Sequence, residues 1–198
     1  LRRDRSPEEY VAVLGSALEE SERLSRLAED LLTLTRSEAG VLRPRIREVD
    51  LSERVRRTVE LLSPEAERKE IRIMGPGMTS VLCQVDPDLF DRVVWNLLGN
   101  ALRHSPPGGL VEVRLAATQE GTLFEIADTG PGIPEHQLEA VFQRFFRTDE
   151  SRTQGEDASG TGLGLAIAKA VVELHDGDIQ ALNRPEGGAL FRVILPKH

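Results

Sequence analysis

The 198-residue sequence has one cysteine, three lysines and few aromatic residues (4%), and it contains no long apolar run. Cys83 alone can form neither an internal disulfide nor a cysteine metal cluster, which fits a reducing compartment. A helix that crosses a bilayer needs roughly 20 consecutive apolar residues. None occurs, so the chain is expected to be soluble, cytoplasmic and without direct membrane contact. The formal charge of −8 offers no basic face for a duplex, and nucleic acid is not an expected partner. One small phosphate ligand remains possible, held by local cations. Those would be mostly arginines, because the only lysines are Lys69, Lys169 and Lys197.

What is present begins with a helix signal. Ser6 is a cap, Pro7 stands at the first helical position and Glu9 closes a capping box. Tyr10, Leu14, Ala17, Ser21, Leu24, Ala28 and Leu31 then recur at alternating steps of four and three. That period of 3.5 is a coiled-coil seam, which Leu27 and Leu34 widen and Gly40 ends. At 1.5 Å per residue the helix would be on the order of 50 Å long. It either packs on its own domain or, given its length, joins a helical bundle with a second helix and a second chain.

Residues 41–49, with Pro44, read as a connector. Asp50 caps a helix to about Arg68. Ile71–Met74 and Val81–Val85 read as strands around the turn Gly75-Pro76-Gly77, and Asp86-Pro87 starts a helix to about His104. Leu110–Ala117 and Thr122–Ala127 form a hairpin pattern. A polar stretch runs to Gly160, a helix from about Leu163 to His175, and strands at Ile179–Leu182 and Ala189–Leu195. Strands and helices mix without strict alternation. The expectation is an α+β fold, a two-layer sandwich with one mostly antiparallel sheet and helices on one face.

Four segments carry candidate chemistry. On the helix from Asp86, Asn96, Asn100 and His104 fall on one face at spacings of four, with Arg103 beside them. In-line amides on an otherwise apolar helix are either an ordinary exposed face or a site for a hard cation such as Mg²⁺. Asp128-Thr129-Gly130-Pro131-Gly132-Ile133 follows a strand; it is either a good turn or a carboxylate offered to an exocyclic amine, with glycines admitting a flat ring. Gly160-Thr161-Gly162-Leu163-Gly164-Leu165 opens a helix and exposes backbone N–H groups to an anion. It lacks the Lys-Ser/Thr of a Walker loop and the spacing of a dinucleotide fingerprint. Between them lie Phe142-Gln143-Arg144-Phe145-Phe146-Arg147 and the polar segment 148–159, readable as an aromatic-anchored lid or as a surface loop. His175 and Asp176, before Gly177, read as a helix terminus rather than a metal site.

Taken in order, Asn96 to Pro106, Asp128 to Ile133, Phe142 to Arg147 and Gly160 to Leu165 closely resemble the N, G1, F and G2 boxes of sensor histidine kinases, part of the GHKL group with gyrase and MutL. The resemblance implies the two-layer sandwich of that group in residues 50–198. A linker would occupy 41–49. Residues 1–40 would be the second helix of a dimerisation and phosphoacceptor hairpin. It implies ATP and Mg²⁺ as cofactors, with Asn100 on the metal, Asn96 and Arg103 at the phosphates and His104 beside the nucleotide. By the same resemblance Asp128 would accept from the adenine amine, Gly130, Gly132 and Ile133 would make room for the ring, and Gly160 through Leu165, Thr161 included, would hinge the lid and cradle phosphate. Arg147, with Arg144 as second candidate, would reach the γ-phosphoryl group.

The implied reaction is phosphoryl transfer to a histidine for relay to a response regulator receiver domain, within a homodimer joined through the stalk helix. The family's acceptor motif, similar to Ser-His-Glu-Leu-Arg-Thr-Pro, does not occur in the sequence. The reading is therefore of a fragment that starts between the two hairpin helices and would not autophosphorylate alone. A hydrolytic GHKL ATPase would carry a glutamate where Asn96 stands. A serine kinase of the anti-sigma-factor type would not need the long helix. A nucleotide-binding or scaffolding module without catalysis is the remaining alternative.

Overall fold

The computed structural model describes residues 6–77, 79–147 and 161–197. Helix α1 runs unbroken over Pro7–Glu38, so its 32 residues extend about 48 Å at 1.5 Å per residue. Gly40, at φ +63°, reverses the chain while Val41 N–H donates to Arg36 O at 3.0 Å. After a connector come β1 (Arg47–Asp50), α2 (Leu51–Arg68), β2 (Arg72–Met74), β3 (Leu82–Val85) and α3 (Pro87–His104). They are followed by β4 (Leu110–Ala117), β5 (Gly121–Ala127), two 3₁₀ turns at Glu135–Gln137 and Ala140–Phe142, α4 (Gly164–Leu174), β6 (Asp178–Asn183) and β7 (Ala189–Pro196).

The main sheet has the order β2-β4-β5-β7-β6, and α2, α3 and α4 cover one face. Its strands alternate as a half-buried sheet must: Ala189, Phe191, Val193 and Leu195 of β7 are buried, while Leu190, Arg192 and Ile194 stand on the other face. Phe124 and Ile126 of β5 meet Phe90, Val93 and Leu97 of α3 in the same core. On the opposite face Glu125 is only 6% exposed, and its carboxylate is neutralised by Arg192 at 2.7 Å and Arg114 at 3.5 Å on the flanking strands.

Two sequence expectations need correction. The connector contains a strand, β1, which pairs antiparallel with β3 in a separate two-stranded ribbon. With one apolar residue in Arg47-Glu48-Val49-Asp50, no alternation marks it. β2 and β3 are not partners across the Gly75-Pro76-Gly77 turn. β2 instead joins the main sheet as its one parallel edge, Ile73 opposite Val111.

The apolar stripe of α1 is divided between two sides. Its seam residues Tyr10, Leu14, Leu24 and Leu31 are 50, 67, 53 and 44% exposed. The contact with the domain is made by Leu34, 2% exposed, and Leu27, which packs on the core near α4. Arg92 of α3 fastens this end by bonding Thr33 Oγ1 at 3.0 Å and Glu29 at 3.2 Å, with Asp30 at 3.7 Å. The helix thus has two apolar sides, of which one is covered by its own domain.

Candidate functional site

α3 supplies the first wall. Asp86 caps it, with Oδ1 accepting from Asp88 N at 3.0 Å and Leu89 N at 3.2 Å, and Pro87 sits where no N–H is needed. Burial of Val93, Val94, Leu97, Leu98, Ala101 and Leu102 turns Asn96, Asn100, Arg103 and His104 away from the core. Asn96 and Asn100 are half-buried, and Arg103 is exposed. The edge of His104 reaches solvent, yet the atoms crowded around it desolvate the ring. That desolvation and the positive charges of Arg103 and Lys69 outweigh Asp128 and lower the imidazole pKa below 6.5.

Three glycines bring the other segments onto this wall. A Cβ on Gly130 would lie 2.6 Å from His104 O, so the loop after β5 sits against the last turn of α3. One on Gly164 would lie 3.0 Å from Asn96 Oδ1, which sets the start of α4 on the middle of the polar face. One on Gly162, at φ +69°, would lie 2.7 Å from Phe145 Cα, and Phe145 N donates to Gly162 O at 2.8 Å. Separate in sequence, the four segments form one continuous surface.

Asp128 is 2% exposed at the end of β5. Among the described residues, its side-chain hydrogen bonds both fall on Oδ1, from Gly130 N at 2.8 Å and Ala189 N at 3.1 Å. Gly132, at φ +80°, and Ile133 complete the loop. At the opposite wall no side chain among the described residues caps α4. Its first N–H groups therefore retain capacity for an anion. Thr161 Oγ1 accepts from Leu163 N at 3.3 Å, while Leu163 (1% exposed) and Leu165 pack into the core, which leaves their backbone as what they can offer a ligand.

The aromatic segment divides its work. Phe142 meets Phe191 edge-on at 6.3 Å and Phe146 packs on the core, whereas Phe145 is 62% exposed at φ +57°. A bulky residue in the left-handed region is held there by its surroundings. Arg147 is half-buried where the described residues stop. Arg144 forms an ion pair with Glu38, at the end of α1. Gly160 and the segment 148–159 read as a lid lie outside the described residues. A hollow of about 260 Å³ lined by Met74, Glu112, Arg114 and Leu190 opens on the other face of the sheet, away from these groups.

Sequence reasoning did not find the β6–β7 end. Asn183 bonds both polar groups of Ile133, Arg184 Nη1 donates to Asp128 O at 3.3 Å, and Gly188 lies so close that a Cβ would sit 2.0 Å from Asp128 O. The Gly187-Gly188 pair signals a tight turn, but nothing in its spacing points to a loop some 50 residues earlier.

A buried carboxylate, an amide-lined helix and glycine loops on one face of a two-layer sandwich define an ATP-binding domain of the GHKL kind. The sequence profile described as "Histidine kinase-, DNA gyrase B-, and HSP90-like ATPase" matches residues 85–198, and the chain belongs to that family. Within it, the chain is of the sensor histidine kinase type. It is 35% identical over 198 residues to the sensor protein IrlS of Burkholderia pseudomallei, covering 100% of this chain and 42% of that protein. It is 38% identical over 201 residues to the sensor protein SphS of Synechococcus elongatus, covering 98% and 49%. The full-length ShkA structure, solved with AMPPNP, superposes with a TM-score of 0.78 at 28% identity, covering 98% of this chain and 40% of that one. The chain thus spans less than half the length of the curated relatives named here.

Proposed function

We infer that this chain binds Mg·ATP on the polar face of α3 and transfers the γ-phosphoryl group to a histidine, for relay to a response regulator receiver domain. The observation that carries the reading is the convergence of four glycine- and amide-bearing segments on that face, closed at one end by the buried Asp128. In this reading Asp128 takes the adenine amine through the carboxylate oxygen that carries neither of its loop bonds. Gly130, Gly132 and Ile133 line the ring, and Arg103 and the α4 N-terminus hold phosphate. The relative ShkA, whose structure was solved with AMPPNP, supports a nucleotide-binding reading of this chain.

The donor set fits Mg²⁺: the amide oxygen of Asn100 is a neutral hard ligand, suited to an ion that keeps waters and leans on substrate phosphates. When bound it would neutralise phosphate charge. Phosphoryl transfer otherwise asks of the protein mainly position and charge. Here Asn96, Arg103 and Arg147 supply both, with Arg144 released from Glu38 as a further cation. Asn96 stands on the face where a hydrolytic enzyme would need a carboxylate, so ATP turnover by water should be slow.

In this reading none of the described histidines is the acceptor: His175 is buried, His104 belongs to the site and His136 lies on a short 3₁₀ turn. The acceptor is assigned to a helix paired with α1, in a homodimer whose bundle covers Tyr10, Leu14, Leu24 and Leu31. On this reading residues 1–40 are the stalk, 41–49 the linker and 50–198 the catalytic domain, all facing the cytoplasm. No described helix is long and apolar enough to cross a membrane.

Calorimetric titration with ATP, with and without Mg²⁺, tests the pocket. One saturable site is expected, with Asp128→Asn weakening it at least tenfold, about 1.4 kcal/mol. Undiminished binding by the variant, or ATPase turnover like that of dedicated ATPases, would overturn the assignment.

A further inference from the structure

We propose that Asn183 is a positioning residue for the base end of the nucleotide site, a role that rests on the reading of Asp128 above. Asn183 ends β6, 50 residues beyond the loop it holds. Its Nδ2 donates to Ile133 O at 2.6 Å and its Oδ1 accepts from Ile133 N at 2.8 Å. One side-chain amide answers both polar groups of one residue, as a neighbouring strand would, and so holds that residue's position and orientation. The adjacent Gly132, at φ +80°, has room for no Cβ, which would fall 2.9 Å from Asn183 Oδ1.

The other end of the loop is gripped by the same hairpin. Ala189 N donates to Asp128 Oδ1, Arg184 Nη1 donates to Asp128 O, and Gly188 lies flat against that carbonyl. Arg184 is itself fixed by Glu186 at 2.6 Å and Glu112 at 2.9 Å. Residues 128–133 form no helix or strand, so their backbone groups depend on partners from elsewhere. The β6–β7 end provides them at both termini. Asn183 is exposed, and exposed hydrogen bonds compete with water and add little to fold stability. Their effect is on where Gly130, Gly132 and the Asp128 carboxylate stand relative to a base.

The test compares Asn183→Ala and Asn183→Asp with the unaltered chain, titrating ATP and purine riboside triphosphate, which lacks the 6-amine. Asn183→Ala should lower ATP affinity about tenfold, lower that of the purine analogue less, and leave the melting temperature nearly unchanged. Asn183→Asp keeps the acceptor for Ile133 N but sets a carboxylate against Ile133 O. Its ATP affinity, taken as a ratio to the unaltered chain, should recover as pH falls and the protonated carboxyl regains a donor. Equal losses for both nucleotides, an unchanged ATP affinity, or no recovery with pH would overturn the proposal. If Asp128→Asn leaves ATP binding unchanged, the base-site reading fails instead; if Asp128→Asn weakens ATP binding and Asn183→Ala leaves it unchanged, only the role of Asn183 fails.

Discussion

At the residue scale, His104 shows how position overrides composition. It lies at the C-terminal end of α3, where a positive charge would ordinarily be welcome. Desolvation first, then Arg103, make the neutral ring the favoured form and lower its pKa below 6.5. The folded state therefore binds fewer protons than the unfolded chain between the lowered value and 6.5. Its stabilising contribution is complete above 6.5 and is lost as pH falls through the folded value. A proton-resolved titration should place the His104 midpoint below 6.5, and His104→Gln should flatten the fall in stability across that window. A midpoint at or above 6.5 would show that Asp128 outweighs the surrounding cations.

At the scale of elements, α1 is one helix with two distinct faces. Leu34 is buried against the domain, so Leu34→Ala should destabilise it by about 2–4 kcal/mol through lost contact and a cavity. Leu14 is 67% exposed, and Leu14→Ser should leave the unfolding free energy of the domain within about 0.5 kcal/mol of its starting value. The same substitution should weaken self-association in sedimentation if the exposed stripe is the dimer surface. A single apolar period in the sequence does not separate these faces, because both are leucine-rich. Only the docking of α3 and α4 divides them.

At the scale of the whole molecule, Asp86 and His175 tie distant parts together. Asp86 Oδ1 caps α3, its Oδ2 accepts from Arg45 N at 2.7 Å in the connector, and its own N–H donates to His175 Nε2 at 2.9 Å. His175, with its ring hydrogen on Nδ1, donates to Val171 O at 2.7 Å and ends α4. Asp176, at φ +55°, makes the turn expected of Gly177, which is left to pass 2.6 Å (as a notional Cβ) from Ile194 O. His175→Phe keeps the bulk but orphans the buried Asp86 N–H, and should cost about 2 kcal/mol in chemical denaturation. A loss under about 0.5 kcal/mol would mean that water or a shift of α4 replaces the bond. What the sequence by itself determined was local and chemical. The start of α1 at Pro7, the Asp86-Pro87 start of α3, six strands within a residue of their observed ends and the order of four motifs all follow from spacing within a few residues. The pairing of β1 with β3, the parallel docking of β2 on β4, the split faces of α1 and the grip of Asn183, Arg184 and Gly188 on the Asp128 loop were decided by tertiary structure. Each depends on contacts between residues far apart in the chain, and neither periodicity nor propensity encodes which distant partner a polar backbone group will find.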